Sequence, residues 1–189
     1  MKIVFATGNK DKLREINEIS QGSGIEFILP EAGFNPVEDG LTFEENSCKK
    51  AKEAVRVSHK MSLADDSGLC VDALNGAPGL YSARYAGTQQ EKINKILKEL
   101  EGVSDRSAKF VCVMTLLDEN GEILHVSKGE CKGEIAEHQS GVNGFGYDPV
   151  FVVENYGKTM AEMSEDEKNQ ISHRGRALTD MLNFIRTLH

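Results

Sequence analysis

The start of the chain alternates a short apolar run with a charged segment, and this alternation constrains the fold more than any other feature of the sequence. Lys2 to Ala6, which contains the apolar run Ile3 to Ala6, is typical of a buried strand. Asp11 to Ile19 has the spacing of an amphipathic helix. A strand followed directly by a helix is the opening of an α/β fold, in which helices pack on a sheet.

Later segments repeat the same two periodicities. Thr42, with Glu45 three residues later, has the capping-box pattern and begins a predicted helix that runs to about His59. The other predicted elements are a short buried strand at Met61–Ala64, a helix at Glu91–Leu100, a hairpin of Lys109–Leu117 and Ile123–Gly129, and a last helix with Leu178, Met181, Leu182, Ile185 and Leu188 on its apolar stripe. Alternation followed by a hairpin predicts an α/β fold with a mixed β-sheet flanked by helices.

Length and composition limit the class of protein. The 189 residues suffice for one sizeable core, and no linker or repeat divides them, so a single domain over residues 1–189 is predicted. The formal net charge of -8 disfavours nucleic-acid binding but allows a small anion held by local Lys and Arg residues.

The first apolar run is too short for a signal peptide or a membrane span, so a cytoplasmic protein with no membrane contact is expected. The four cysteines lack a Cys-x-x-Cys spacing, which favours buried free thiols.

Two adjacent carboxylates, Asp65 and Asp66, follow the predicted strand at Met61–Ala64. An Asp-Asp-Ser-Gly sequence in isolation is most often a polar turn, and that interpretation stays open on these residues alone. At the end of a strand the same pair can supply carboxylates for a divalent metal ion.

A candidate anion site lies at Ala6-Thr7-Gly8-Asn9-Lys10-Asp11-Lys12, where the first strand is predicted to end and the first helix to begin. Gly8 is expected to permit an unusual backbone turn, and the helix N-terminus offers free N–H groups and a favourable dipole. Lys10 and Lys12 add positive charge. The segment is not a Walker A loop, and a purely structural strand-to-helix turn is an equally open interpretation.

Two later segments carry aromatic and basic groups. Gly141 to Pro149 places Phe145 and Tyr147 on a Gly-rich loop, where the rings either face a nucleobase or fill the core. Lys168 and Ser172-His173-Arg174 precede the last helix, with Ser172 as a suitable cap. Taken alone, a histidine such as His173 is more often a packed polar residue, and an arginine such as Arg174 is most often a solvated surface charge. Taken together, the segments supply donors for phosphates, carboxylates for a metal, aromatic rings for a base and polar groups for its edge. A nucleoside triphosphate hydrolase needs this combination.

In this combination the chain resembles the Ham1/RdgB family of inosine/xanthosine triphosphate pyrophosphatases. The matching segments are ATGNKDKLREI, GLTFEENSCKKA, ADDSGLCVDALNGAPGLYSARYAG, GFGYDPVF and KNQISHRGRA, in family order along nearly the whole chain. The resemblance implies an elongated, two-lobed single domain with a central cleft, and a homodimer. It also implies hydrolysis of ITP, dITP and XTP to the nucleoside monophosphate and pyrophosphate, which removes deaminated nucleotides from the pool.

The resemblance also assigns roles to residues. Asp66 is implied to be the catalytic base and a ligand of Mg²⁺, Asp65 its support, and Glu38 the second acid at the metal, with Glu44 and Glu45 as alternatives to Glu38. Mg²⁺ prefers carboxylates together with phosphate oxygens and waters, which suits a pair of acids. The implied substrate contacts are Thr7, Gly8, Asn9, Lys10, Asp11, Lys12, Lys50 and Arg84 for the triphosphate, Ser67 as a further contact, Phe145, Gly146, Tyr147 and Asp148 for the base, and Lys168, His173 and Arg174 for the purine edge.

Two rival functions are weighed against this hypothesis. A Maf-type nucleotide pyrophosphatase would act on modified or pyrimidine nucleotides, and the intact Ser172-His173-Arg174 and Gly144-to-Pro149 segments disfavour it. A regulatory nucleotide-binding module without turnover is disfavoured by the paired acids. A protein that only binds a nucleotide gains little affinity from carboxylates beside the phosphates unless a metal ion lies between the two groups.

Overall fold

The computed structural model describes residues 1–188, and within them six strands form one sheet. The strands are β1 (Lys2–Phe5), β2 (Glu26–Ile28), β3 (Ser62–Val71), β4 (Ser107–Leu117), β5 (Ile123–Ile135) and β6 (Phe151–Val153). Their order in the sheet is β2-β1-β3-β4-β5-β6. β1 pairs in parallel with β2 and β3, whereas β5 and β6 are antiparallel. The predicted mixed sheet is confirmed.

The longer helices are α1 (Lys10–Ile19), α2 (Phe43–Ser58), α3 (Gln89–Glu99), α4 (Glu165–Ile171) and α5 (His173–Arg186). Short 3₁₀ helices lie at Asp72–Leu74, Gly79–Arg84, Asp148–Val150 and Met160–Glu162. Over residues 1–188, none of the helices has both the length and the apolar character that a membrane crossing requires.

The chain divides into two compact units. Unit 1 contains residues 1–66, 112–129 and Arg174 onward, and unit 2 contains residues 67–111 and 130–173. β3, β4 and β5 each contribute residues to both units. The single domain and the cleft between lobes stay predictions.

In unit 1, helices cover both faces of the β1–β3 pair. On one face Phe5 and Leu63 belong to a buried cluster that includes Ile16 of α1 and Leu178 of α5. On the other face a second buried cluster contains Val4, Ala6 and Ala64 with Ala51, Ala54 and Val55 of α2. Successive side chains of a strand point to opposite faces of the sheet. Leu63 therefore faces α1 and α5, and Ala64 faces α2.

The core of unit 2 gathers apolar side chains from the second half of β3, from α3 and from β6. Ile93 and Ile96 of α3 pack with Leu69 of β3 in one buried cluster. The Phe110 and Phe151 rings of this cluster lie 4.6 Å apart between centroids. A glycine loop from Gly141 to Tyr147 and helix α4 also belong to this unit.

Helix caps agree with the local sequence signals. The Asn9 side chain accepts hydrogen bonds from the N–H groups of Asp11 (2.9 Å) and Lys12 (3.3 Å) and so begins α1. The Thr42 hydroxyl accepts from the Glu45 N–H at 3.1 Å and begins α2, as predicted. The return bond of the predicted capping box differs, because the Glu45 carboxylate accepts from the N–H of Leu41 at 2.6 Å.

The extent of β3 corrects the sequence prediction. The strand was expected to end at Ala64, but it continues to Val71, so Asp65 and Asp66 lie inside a strand and not at its end or in a turn. Leu69 and Val71 extend the buried pattern beyond the acids, and this burial sustains the strand. β5 likewise continues past the predicted Gly129 to Ile135, where it pairs with β6.

The cysteines are all free thiols, as predicted. Cys112 and Cys131 are buried, but Cys48 and Cys70 are partly exposed, so the prediction of burial is wrong for this second pair.

Candidate active site

The turn between β1 and α1 is held by its own polar side chains. The Asn9 N–H donates to the Thr7 hydroxyl at 3.0 Å, and the Asn9 side chain occupies two N–H groups of the helix. Gly8 does not have a positive φ, so the expected unusual backbone turn is wrong. A Cβ at Gly8 would meet no atom within 4 Å in the described chain. The glycine therefore leaves open space beside the helix N-terminus, where a helix dipole favours an anion.

Asp65 lies at the centre of a buried ionic cluster on the α1/α5 side of the sheet. The Lys12 ammonium contacts both Asp65 carboxylate oxygens, at 3.1 and 2.9 Å. The Arg174 guanidinium donates to Asp65 Oδ2 at 3.3 and 3.4 Å and, through Nη1, to the carboxylate of Glu15. Asp65 is 1% exposed, and these two cations compensate its charge.

Asp66 faces the α2 side, as its position next to Asp65 in a strand requires. The Lys50 ammonium of α2 lies 3.0 Å from Asp66 Oδ1 and 3.2 Å from Glu38 Oε2. Asp66 is 8% exposed, and its Oδ2 is buried without a hydrogen-bond partner among the described residues. One oxygen of Asp66 is thus bound by a cation, and the other is buried without a hydrogen-bond partner among the described residues.

The two neighbouring aspartates differ in acidity. Burial alone would raise the pKa of Asp65, but attraction to Lys12, Arg174 and Lys50 outweighs it and lowers that pKa. Burial raises the pKa of Asp66 above its usual value, and attraction to Lys50 only partly offsets this effect. The adjacent pair therefore consists of a firmly ionised carboxylate and a more basic one, a division suited to separate structural and proton-accepting roles.

Of the three candidate second acids, Glu38 contacts Lys50, Glu45 bonds elsewhere, and Glu44 is exposed in the first turn of α2. Burial tends to lower the pKa of Lys50, but the charges of Asp65, Asp66 and Glu38 raise it overall. Glu38 shares Lys50 with Asp66, whereas the Glu45 carboxylate bonds to Leu41. In residues 1–188 no group of three or more His, Cys, Asp or Glu side chains is placed to hold a metal ion. Asp66 and Glu38, which share the Lys50 ammonium, are the two carboxylates that could hold a metal ion here.

In unit 2, the loop with the two aromatic residues is held by several side chains. Asp148 Oδ2 accepts from the Phe145 N–H at 3.0 Å and from the Lys168 ammonium at 2.8 Å. That ammonium also lies 4.8 Å from the centroid of the Phe145 ring. Phe145 is partly exposed, while Tyr147 is buried in the unit 2 core. The alternative of two core aromatics is therefore wrong for Phe145, and the contact of either ring with a nucleobase stays a prediction.

His173 and Arg174 are neighbours in sequence with different surroundings. The His173 ring stacks on Phe110 in unit 2, with centroids 4.7 Å apart and planes inclined by 12°. Arg174 is buried in unit 1 against Glu15 and Asp65, so the alternative of a solvated surface charge is wrong. Its predicted contact with the purine edge stays a prediction, as does that of His173.

The remaining sequence candidates lie at more open positions. Lys10 and Asp11 are exposed in the first turn of α1, and Arg84 is exposed at the end of the 3₁₀ helix Gly79–Arg84. Ser67 follows Asp66 directly on β3 and is partly exposed. Their contacts with substrate stay predictions.

Sequence reasoning missed three residues that organise these clusters. Glu15 is the buried carboxylate that contacts Arg174. The Ser82 carbonyl accepts a hydrogen bond from the Tyr147 hydroxyl, and the Gln89 side-chain oxygen accepts one from the Gly146 N–H. The only local signal was for Glu15, which lies one helical turn after Lys12 and so on the same side of α1. Ser82 and Gln89 have partners more than 50 positions away, at sequence separations of 65 and 57.

Comparison with known proteins gives consistent matches over the whole chain. The model of the Ham1 family matches residues 3–184. A dITP/XTP pyrophosphatase of Treponema denticola is 50% identical, covering 98% of this chain and 99% of that protein. A second one, from Synechocystis, is 45% identical and covers 96% and 93%. The solved structure of the Staphylococcus aureus Ham1 protein is 41% identical, with a TM-score of 0.88 and coverage of 100% of both chains. This chain belongs to the Ham1 family.

Proposed function

We propose that this protein hydrolyses deaminated purine nucleoside triphosphates, namely ITP, dITP and XTP, to the nucleoside monophosphate and pyrophosphate. The observation that carries the proposal is Asp66, a buried carboxylate that shares the Lys50 ammonium with Glu38 and has one oxygen without a hydrogen-bond partner among the described residues. The names of the Treponema denticola and Synechocystis relatives, dITP/XTP pyrophosphatase, support the same reaction.

The residues around Asp66 fit a divalent metal ion. Asp66 and Glu38 already hold a cation between them, the Lys50 ammonium, and Asp66 Oδ2 has no hydrogen-bond partner among residues 1–188. Asp66 and Glu38 would therefore hold Mg²⁺, which when bound neutralises charge on the phosphates. Two carboxylates completed by substrate oxygens and waters are a usual magnesium environment.

The chain's own residues then divide the chemical work. Asp66 accepts a proton from the attacking water, because burial makes this carboxylate more basic than an ordinary aspartate. The water oxygen bonds to the α-phosphorus, the bond from that phosphorus to the bridging oxygen breaks, and pyrophosphate leaves with the bridging oxygen. Asp65 stays ionised and orients the Lys12 ammonium, which with Lys50 compensates the charge of the triphosphate.

The base selectivity follows from hydrogen-bond donors. Hypoxanthine and xanthine present a 6-oxo acceptor and an N1–H donor, whereas adenine presents a 6-amino donor and a bare N1. Lys168, His173 and Arg174 are the proposed readers of this edge, and Phe145 is the proposed stacking surface. A site built to donate to the 6-oxo group rejects an analogue without it by roughly 10⁴-fold, because its buried donors are left without acceptors.

Two further properties belong to this proposal. We expect a homodimer, as the resemblance implies, and sedimentation of the purified protein tests it. We also expect the protein to act in the cytoplasm, where the nucleotides it would remove are used by polymerases.

The test is a panel of triphosphates with Mg²⁺, with pyrophosphate and phosphate followed separately. The expected products from ITP, dITP and XTP are the monophosphate and pyrophosphate, with comparable efficiencies for ITP and dITP and poor use of ATP. Release of phosphate with a diphosphate would contradict cleavage at the α-phosphorus. Preference for a pyrimidine or modified nucleotide would favour the Maf-type alternative, and tight binding without products would favour a regulatory module.

A matched pair of variants tests the role of Asp66. Asp66→Asn removes the proton acceptor with almost no change in shape, and turnover is expected to fall by about 100-fold or more. Asp180→Asn makes the same change at a surface acid that pairs with His125 and should leave turnover unchanged. Equal turnover in the two variants at saturating Mg²⁺ would defeat the assignment of Asp66.

A further inference from the structure

One hydroxyl in unit 2 connects β3 with the 3₁₀ helix Gly79–Arg84. Ser82 Oγ accepts from the Leu69 N–H at 2.9 Å and donates to the Gly79 carbonyl at 2.6 Å. A Cβ at Gly68 would lie 2.2 Å from that same carbonyl. The strand and the 3₁₀ helix therefore touch through backbone, and their spacing is fixed directly after Ser67.

The carbonyl of the same serine holds the loop that carries Phe145. The Tyr147 hydroxyl donates to the Ser82 carbonyl at 2.7 Å inside the core. Two residues earlier, the Phe145 ring is partly exposed. Tyr147 is thus the buried anchor of a loop whose neighbouring ring remains accessible.

A second anchor lies on the exposed side of the loop. Gln89, the first residue of α3, accepts from the Gly146 N–H through its side-chain oxygen at 3.1 Å. Helix α3 is itself fixed by Ile93 and Ile96 in the unit 2 core. The loop backbone between Phe145 and Tyr147 is therefore tied to a rigid element.

The loop needs such anchors because its backbone is unusually free. Gly141, Gly144 and Gly146 all have positive φ values, between 66° and 87°. Glycine loses more conformational freedom on ordering than any other residue. Without anchors, a ligand that stacks on Phe145 would have to order this segment on binding.

We propose that Ser82, Tyr147 and Gln89 are positioning residues for nucleotide binding, which hold the Gly144–Asp148 loop so that the Phe145 ring is preset for a nucleobase. The proposal rests on the proposed function, in which Phe145 stacks on the base. These residues act on bound substrate and transition state alike, so their loss raises KM and leaves kcat nearly unchanged.

Two matched pairs of variants test the proposal with ITP as the probe. Tyr147→Phe removes the inner anchor, and Tyr85→Phe removes a hydroxyl of the same unit that bonds instead to Glu99. Gln89→Ala removes the outer anchor, and Gln90→Ala removes its neighbour, which bonds to Asn94. KM for ITP is expected to rise about 5- to 10-fold for Tyr147→Phe and about 3-fold for Gln89→Ala, with wild-type KM in both controls.

The outcomes separate this proposal from the proposed function. Failure of the wild-type protein to produce IMP and pyrophosphate from ITP would refute the proposed function itself. If the wild-type protein is active, a wild-type KM in Gln89→Ala, an equal rise in Gln89→Ala and Gln90→Ala, or a fall in kcat at constant KM overturns the positioning role. The glutamine pair is exposed and decides the matter even if Tyr147→Phe does not fold.

Discussion

The buried pair of Glu15 and Arg174 allows a prediction of stability that is independent of activity. Arg174 is 2% exposed, and its guanidinium lies between the carboxylates of Glu15 and Asp65. Arg174→Met removes this cation. Asp65 keeps the Lys12 ammonium at 2.9 Å, so the larger loss falls on Glu15.

The expected magnitudes follow from the burial of the pair. Removing one member of a buried ion pair typically lowers the free energy of unfolding by about 3–5 kcal/mol, so about 4 kcal/mol is expected for Arg174→Met. Glu15→Gln leaves the guanidinium with Asp65 and should cost about 1.5 kcal/mol. The double variant removes both charges and should cost about 3.5 kcal/mol, which corresponds to a coupling energy of about 2 kcal/mol.

Chemical denaturation of the wild type, the two single variants and the double variant measures this cycle. Each kcal/mol corresponds to about 2–4 °C in Tm for a chain of this size, so Arg174→Met should lower Tm by about 10 °C. Additive effects of the two substitutions, or a loss below about 1 kcal/mol in Arg174→Met, would refute the assignment of a coupled buried pair.

Three further predictions concern the phosphate turn, the Lys50 ammonium and a buried tyrosine. Gly8→Ala should leave Tm unchanged, because a Cβ at this position meets no atom within 4 Å and φ is not positive. The same variant should raise KM for ITP, and an unchanged KM in kinetic assays would show that substrate does not use the open space. Lys50→Ala should raise KM for ITP and ATP by the same factor, because a phosphate contact does not distinguish one base from another. A changed ratio of the kcat/KM values for ITP and ATP would contradict the assignment of Lys50 to the phosphates. Burial, followed by the charges of Tyr85 and Glu99, raises the pKa of Tyr147. Its stabilising contribution is therefore complete below about pH 10, where a tyrosine in the unfolded chain is protonated, and is lost as pH rises further. Above about pH 10, the free energy of unfolding should fall less steeply with pH in Tyr147→Phe than in the wild type. Identical pH profiles of stability in the two proteins would contradict the prediction.

Local signals in the sequence were enough for α1, α2, α3 and α5 and for the class of fold, but α4 was not predicted. Thr42 begins α2 because a cap depends on residues only three positions away, and the amphipathic spacing of α1 is equally local. The mixed sheet followed from the order of strands and helices. These features depend on interactions between residues that are close in sequence, so they can be predicted from the sequence alone.

The environment of Asp65 could not be predicted in the same way. Its partners Lys12 and Arg174 are 53 and 109 positions away, and no periodicity connects such distant residues. Asp-Asp-Ser-Gly in isolation favours a turn because these residue types are common in turns, whereas here they lie in a strand. The resemblance implied a functional role for the two acids, which stays a prediction, and only the folded chain gives each a separate set of cations.

The placement of Asp65 and Asp66 on opposite faces of β3 makes chain length itself a functional constraint. Because side chains alternate with a period of two, deleting or inserting a single residue between Leu63 and Asp65 would exchange the faces of both acids. The carboxylate now beside Arg174 would point toward α2, and the one now beside Lys50 would point toward α1 and α5. Homologous chains in which both acids are retained are therefore expected to differ by substitution in this segment, and to differ in length only beyond it.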